Sequence, residues 1–379
     1  MKIAIDISQI VYQGTGVGRY IKGLIEALLK YDKKNRYLFF FSSLRQKLDK
    51  NTETKICKRF LLRKYSIPPT LLDFFWNRLH IFPIDNFIGE NDLILTSDWT
   101  EPPSQSKKIT VIHDLVYLKF PETLNKKIVN VQKRRLKWVK KESSLIITDS
   151  FSTKNDIVEL LKIPEDKVKV IYPPVEINIP TNDEVIKTTR KYQIRRPFIL
   201  TVGKIEPRKN IKRLIDAFIK TKLNDVDLII VGPRGWDKTM KQFNNLPAGR
   251  HGLTIKHSNI KFLGFVPDIE LYSLYQSALF FIYPSIHEGF GYPVVEAMKL
   301  NCPVATSNTS SLKEIAENVA LLFNPYGENS IAKSIITLYQ NHNLRKELSQ
   351  KGIKRAEQFS LNKYAHDLIK TFERIHKLN

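Results

Sequence analysis

The sequence predicts an α/β protein of two domains, each a parallel sheet covered on both faces by helices. Three observations carry this. Short apolar runs alternate with helical periodicity along the chain, the pattern of repeated βαβ units. The alternation comes in two series, separated by a polar, proline-bearing stretch from Glu176 to Pro197. A length of 379 residues also exceeds what one hydrophobic core ordinarily organises. With 42% hydrophobic and 11% aromatic residues, both cores can be filled, which excludes a disordered chain.

The first series opens with a strand at Lys2–Ser8, a glycine loop at Gly14–Gly18, a helix at Arg19–Tyr31 and a strand at Tyr37–Ser43. Asp92–Thr96 and Lys108–Ile112 read as further strands, the second running into His113–Asp114. Asn125–Lys141 is a basic, partly amphipathic helix carrying Trp138. Leu145–Thr148 is a strand, and Ser152–Leu161 a helix capped by Ser150 or Ser152. Val168–Tyr172 closes the series before Pro173–Pro174.

The second series runs through a strand at Phe198–Val202, a helix at Ile211–Lys220, and strands at Val226–Val231, Ile260–Phe262, Ala278–Tyr283 and Val304–Thr306. Leu246–Lys256 interrupts it as a basic, glycine-bearing surface loop. From Leu361 the tail has helical spacing at Leu361, Tyr364, Ala365, Leu368 and Phe372. The expected division is therefore a first domain over 1–178, a linker over 179–197, a second domain over 198–360 and a terminal helix over 361–379.

The net charge of +23 predicts an anionic partner: a nucleotide diphosphate, acidic lipid or nucleic acid. Cys57 and Cys302 lack metal-ligand spacing and form no disulfide framework, which suits a reducing compartment and argues against structural zinc. MKIAIDIS reads as a strand rather than a signal peptide, and no apolar run reaches spanning length. The expected location is cytoplasmic, with any membrane contact peripheral on the inner face. Asn125–Lys141 is the candidate for contact with an anionic membrane surface.

Ligands of open α/β sheets bind outside the carboxyl ends of the strands, so the loops there hold the candidate chemistry. The stretch Leu279–Asn301 is the most informative. Its apolar run Leu279–Tyr283 is a buried parallel strand, and Pro284–Gly291 is a loop holding Glu288 and two glycines. Pro293 suits the first helical position. Such a junction turns N–H groups and a positive dipole end toward an anion, so the backbone from Gly289 to Tyr292 is a candidate phosphate cradle. Glu288 and Glu296 bracket it.

VGKIEPRKN, Val202–Asn210, places Lys204, Arg208 and Lys209 where a helix begins, against the dipole, an arrangement that a bound anion would relieve. QGTGVGRY, Gln13–Tyr20, has Arg19 where a dinucleotide fold wants its third glycine, and no acidic residue ends the second strand. That disfavours hydride chemistry. His113 offers a donor and an acceptor to sugar hydroxyls or a leaving phosphate.

EGFGYPVVEAM, preceded by VGKIEPRKN and followed by CPVATSNTSSLKEI, resembles the retaining glycosyltransferases of family 4. Their E-x7-E signature is met by Glu288 and Glu296, and the likeness covers nearly the whole chain. The resemblance implies a GT-B fold: two Rossmann-like domains facing a central cleft, with the C-terminal helix crossing back to the first. It further implies a nucleotide-sugar donor and no metal. On this likeness Glu296 holds the ribose and Glu288 the donor sugar, with Gly289, Phe290 and Gly291 around it. Lys209, with Arg208 or Lys204 after Gly203, neutralises the diphosphate. His113 approaches the donor sugar, and Gly16 and Gly18 fall among the N-domain contacts. Two departures stand out: Lys204 where many members carry arginine, and Lys313 where proline is common.

Glu288 has no partner carboxylate for a double displacement, so same-face attack is expected, the departing phosphate taking the acceptor proton. Likeness to bacterial polysaccharide mannosyltransferases favours GDP-mannose and a glycan or lipid-linked acceptor. The alternatives are another GT-B enzyme (an epimerase or phosphorylase) and a non-enzymatic basic nucleic-acid-binding protein. No nucleic-acid module is recognisable, so nucleic acid is not an expected partner.

Overall fold

A computed structural model describes residues 1–12, 14–237, 239, 253–254 and 259–377. The chain divides into two compact units: Met1–Pro174 together with the stretch from Phe359 onward, and Val175–Gln358.

The first unit is built on strands β1 (Lys2–Asp6), β2 (Arg36–Ser42), β3 (Leu61–Tyr65), β4 (Leu93–Ser97), β5 (Lys107–Ile112), β6 (Ser143–Thr148) and β7 (Val168–Val170). They lie in the order β3-β2-β1-β4-β5-β6-β7, all parallel. Central strands are buried along their length, which is why they read as apolar runs rather than alternations. One face is covered by the helices Gly16–Tyr31 and Leu361–Lys377, whose Tyr20, Leu24 and Leu28 and Tyr364, Leu368 and Phe372 share one core. Each of the leucine and phenylalanine side chains contributes about 1.5–3 kcal/mol through burial.

The sequence reading passes over β3 and the helical segment 69–79. The residues of β3 are exposed or half-buried and include Arg63 and Lys64, so this edge strand lacks an apolar run. Ser150, not Ser152, caps the helix Phe151–Leu161, accepting from the Thr153 N–H. The basic helix is Lys126–Glu142 and turns Val129, Val131, Leu136 and Val139 inward. Its Trp138 is not free to enter lipid: the indole stacks on His80 at 3.5 Å and donates to the Asn77 carbonyl.

The second unit holds β8 (Phe198–Val202), β9 (Asp227–Val231), β10 (Leu253–Thr254), β11 (Ile260–Gly264), β12 (Phe280–Tyr283), β13 (Val304–Ser307) and β14 (Leu321–Phe323). Their order is β10-β11-β9-β8-β12-β13-β14, parallel except for β10. The helix Ile211–Lys220 buries Ile211, Leu214, Ile215 and Phe218 against this sheet. Of the expected loop Leu246–Lys256, all but Leu253–Thr254 lies outside the described residues.

The stretch expected as a linker over 179–197 is part of the second unit. It forms the helix Asn182–Lys191, opened by a Thr181–Glu184 capping box. That helix packs on Asp268–Ser277, where Lys191 pairs with Glu270 at 2.7 Å and the Tyr192 hydroxyl donates to the same carboxylate. A polar ten-residue helix does not persist alone in water, and this docking holds it. Its outward polar face is what reads as a linker.

Strand order reverses between β1 and β4 in one sheet and between β8 and β12 in the other. At such points the neighbouring loops part and leave a crevice for ligand.

Candidate active site

In the second unit, loops 203–210 and 284–291 leave the adjacent ends of β8 and β12 and are tied together. Ile286 N–H donates to the Arg208 carbonyl at 2.9 Å, and the buried Asn210 donates to the carbonyls of Pro284 and Pro325 at 3.1 and 2.8 Å. Glu288 is the hub. Its Oε1 accepts from Lys209 Nζ and Ser285 Oγ, both at 2.6 Å, and from the Tyr283 hydroxyl at 2.9 Å. Its Oε2 pairs with Arg208 Nη1 at 2.7 Å. Arg208 also pairs with Glu206 at 2.8 Å.

Burial alone would raise the Glu288 carboxyl, but Arg208, then Lys209 and their hydrogen bonds outweigh it and hold it far below the usual carboxylate range. Burial pushes the Lys209 ammonium down, against the pull of Glu288. The sequence predicts that a bound anion would relieve these cations, but Arg208 and Lys209 do not depend on one. The protein's own Glu206 and Glu288 relieve them, and Arg208 and Lys209 lie in the short turn Pro207–Lys209 ahead of the helix.

Lys204 stands apart from this cluster, exposed, with its ammonium 4.5 Å over the Trp236 ring. Gly203 lies against the Lys209 stem. The loop after β9 comes so close that a Cβ at Gly232 would sit 2.0 Å from the Gly203 carbonyl, and one at Gly235 2.1 Å from that of Ile205. VGPRG at 231–235 is thus a supporting motif that the sequence reading missed; its two glycines beside a strand end were the available signal.

Loop 284–291 rests on a run of hydroxyls after β13. Thr306 donates to the Tyr283 carbonyl, Thr309 to Ile286, and Ser311 to both Glu288 and Phe290, at 2.7–3.0 Å. Ser310 Oγ accepts the Glu288 N–H at 3.0 Å. Gly289 is buried here, and the Phe290 and Tyr292 rings meet edge to face at 5.1 Å. Gly291 caps the helix Tyr292–Lys299 with φ 116°, and a Cβ there would reach 2.8 Å from Leu312. Tyr292 is the first helical residue and Pro293 the second, one later than expected; the missing N–H is still among those left unbonded at a helix start. Glu296 is buried one turn in and accepts from the Tyr275 hydroxyl at 3.4 Å.

In the first unit, His113 follows β5. Its Nδ1 meets Asp149 Oδ2 at 2.7 Å and its Nε2 meets Ser97 Oγ at 3.1 Å, with the Tyr20 ring edge-on at 4.7 Å. Ser97 is the last residue of β4 and Asp149 directly follows β6, and no local pattern announces either. Gly16 is the exposed first residue of its helix, behind the Thr15 cap. Gly18 serves packing: a Cβ would lie 2.4 Å from the Tyr12 carbonyl. At the β1/β4 switch point lies a cavity of about 640 Å³ lined by Gln9, Tyr12, Arg45, Trp99 and Lys127 among others. Gln9 spans the switch, donating to the Ser97 carbonyl at 3.0 Å. Its Oε1 and the Trp99 Nε1 are buried without a hydrogen-bond partner among the described residues. Among those residues no three His, Cys, Asp or Glu side chains gather as a metal group, and no helix is long and apolar enough to cross a membrane.

Two parallel-sheet units, one with a cation–carboxylate cluster at its switch point, define the class of sugar- or nucleotide-handling GT-B proteins, and the comparisons agree. Residues 184–355 match the family described as Glycosyl transferases group 1, and residues 14–179 match Glycosyltransferase Family 4. The O-antigen chain mannosyltransferase B of Escherichia coli is 31% identical over 266 residues, 68% of each chain. The O-antigen chain mannosyltransferase RfbU of Salmonella typhimurium is 31% identical over 256 residues, 66% of each. Among solved structures, Anabaena Alr3699/HepE in complex with UDP and glucose superposes with a TM-score of 0.69 at 18% identity, over 99% of this chain and 100% of that one. The chain belongs to the group 1, family 4 glycosyltransferases and has their GT-B fold; it is a glycosyltransferase.

Proposed function

We propose that this enzyme transfers mannose, with retention, from GDP-mannose to a glycan or lipid-linked acceptor in cell-surface polysaccharide synthesis, in the cytoplasm. The Arg208–Lys209–Glu288 cluster at the β8/β12 switch point carries the reading. The mannosyltransferase names of the two relatives support mannose as the sugar and polysaccharide synthesis as the setting.

In this reading the diphosphate meets Arg208 and Lys209, Glu296 takes the ribose hydroxyls, and Glu288 addresses the sugar while fixing both cations. The backbone of Gly289–Tyr292 lines the donor, and His113 serves the donor sugar. The charge growing on the departing diphosphate is met by side chains and the helix start, and no metal is required. The acceptor takes the cavity at β1/β4, whose lining offers the Tyr12 and Trp99 rings to a pyranose face and Arg45, Gln46 and Lys127 to its hydroxyls.

A panel of nucleotide sugars scored by thermal shift tests the donor. GDP-mannose at a hundredfold excess over its Kd stabilises by about 2.7 kcal/mol, a rise of several degrees. A larger rise with UDP-glucose, or none with any donor, overturns the assignment. The anomeric configuration of the product, read by NMR, tests retention: an inverted product, or a sugar trapped covalently on Glu288, defeats same-face attack.

A further inference from the structure

The turn that follows β4 is held from three sides. Its successive carbonyls, Ser97, Asp98 and Trp99, each accept from a carboxamide side chain, and the three donors come from separate stretches of the chain. Gln9, in the turn Ser8–Val11, donates to Ser97 at 3.0 Å. Gln132, on the helix Lys126–Glu142, donates to Asp98 at 2.6 Å. Asn77, in the stretch Asp73–Leu79, donates to Trp99 at 3.0 Å. All three side chains are at most 5% exposed. The Asn77 oxygen also accepts the Glu101 N–H at 2.9 Å, and the Trp99 N–H turns back onto the Ser97 carbonyl at 2.9 Å.

The residue at the centre of this clamp is strained. Asp98 holds left-handed backbone, φ 63°, a conformation uncommon off glycine that persists where the surroundings over-determine it. Glycine would make the same turn at no steric cost, so the backbone alone does not call for aspartate.

The turn joins His113 to the β1/β4 cavity: Ser97 Oγ meets the imidazole Nε2, and Trp99 lines the cavity. Three acids act on His113, and two are engaged. Asp149 holds the imidazole Nδ1, and Asp114 Oδ1 accepts the Val116 N–H at 3.0 Å. The half-buried Asp98 carboxylate makes no hydrogen bond or ion pair among the described residues. Its charge acts on His113 and also on Tyr12, an exposed wall of the cavity. Burial raises the Asp98 carboxyl against the pull of His113 and Arg135, with no hydrogen bond to offset it. A hydroxyl would supply that bond in its short, charge-assisted form. An acceptor hydroxyl reaching from the cavity toward a sugar at His113 comes under this charge.

We propose that Asp98 orients the acceptor: its carboxylate takes a hydrogen bond from the attacking hydroxyl, on a turn that Gln9, Gln132 and Asn77 keep in place. This rests on the reading that the acceptor occupies the β1/β4 cavity. Asp98 directs the hydroxyl and does not keep its proton, which leaves with the departing phosphate.

The test compares wild type with Asp98→Asn and Asp98→Gly. Both replacements accept left-handed backbone, so the turn is kept and the carboxylate alone is lost. The probes are GDP-mannose and octyl α-mannopyranoside. In both variants the glycoside Kd, from NMR titration without donor, rises by about tenfold, and transfer to the glycoside falls by about 10–100-fold, the measure of one hydrogen bond to a charged group. The GDP-mannose Kd, from isothermal titration, stays as in wild type. Unchanged glycoside binding and transfer in both variants overturn the proposal. So does an equal loss of glycoside and GDP-mannose affinity, the mark of a turn that serves structure only. Wild type that binds no octyl α-mannopyranoside overturns the acceptor reading, and the proposal with it. Wild type inert toward GDP-mannose, beside the expected loss of glycoside binding in the variants, supports the proposal and faults the donor reading alone.

Discussion

Lys209→Ala is expected to lower kcat by about 10²–10³-fold while donor Kd rises by less than tenfold. In the resting site the Lys209 charge is already matched by Glu288 at 2.6 Å, so a ground-state diphosphate gains little extra from it. As the sugar–phosphate bond stretches, negative charge grows on the leaving group, and the fixed ammonium gains interaction energy only then. The arrangement is preorganised: Tyr283 and Ser285 hold the same carboxylate, and Arg208 holds its other oxygen. Arg208 keeps Glu288 paired when Lys209 is truncated, which separates the catalytic loss from unfolding; the melting temperature verifies it. Single-turnover rates beside isothermal titration of the donor decide the matter. Equal losses in rate and affinity reduce Lys209 to a donor-binding residue, and an unchanged rate removes it from the chemistry.

What the sequence made legible was local. The apolar run ending at Tyr283, the glycine loop and the proline-bearing helix start fix strand, loop and helix within about twenty residues, and the structure has all of them in place. Illegible were contacts made by strand adjacency. Arg208 and Glu288 lie eighty residues apart and meet because β8 and β12 are neighbours, so their mutual neutralisation needed the sheet order. The hydroxyl run Thr306–Ser311 read as an ordinary polar loop because its partners are carbonyls of another loop. Polar surface misled in the same way at 182–191, where exposed residues cover a face docked on Glu270. The pairing of His113 with Asp149 and Ser97 likewise joins three strand ends remote in sequence.

That last pairing sets an expected pH dependence. Burial pushes the His113 imidazolium down, but the Asp149 charge and hydrogen bond, with Asp98 and Asp114 behind them, outweigh it and raise His113 above its ordinary value. Burial raises the Asp149 carboxyl as well, so the two titrate as a pair. A group raised in the folded state lends stability that is complete below its unfolded pKa and disappears as pH climbs through the folded value. Asp149→Asn removes the carboxylate and should lower the His113 pKa, so its melting temperature falls further behind wild type at pH 6 than at pH 9. Turnover at neutral pH should drop by about tenfold or more, with the limb of the rate profile owed to His113 moving to lower pH. A purely structural Asp149 would lower the rate uniformly at every pH. NMR titration of the His113 ring is decisive: a pKa in the variant equal to or above wild type would show that Asp149 does not hold the proton on His113.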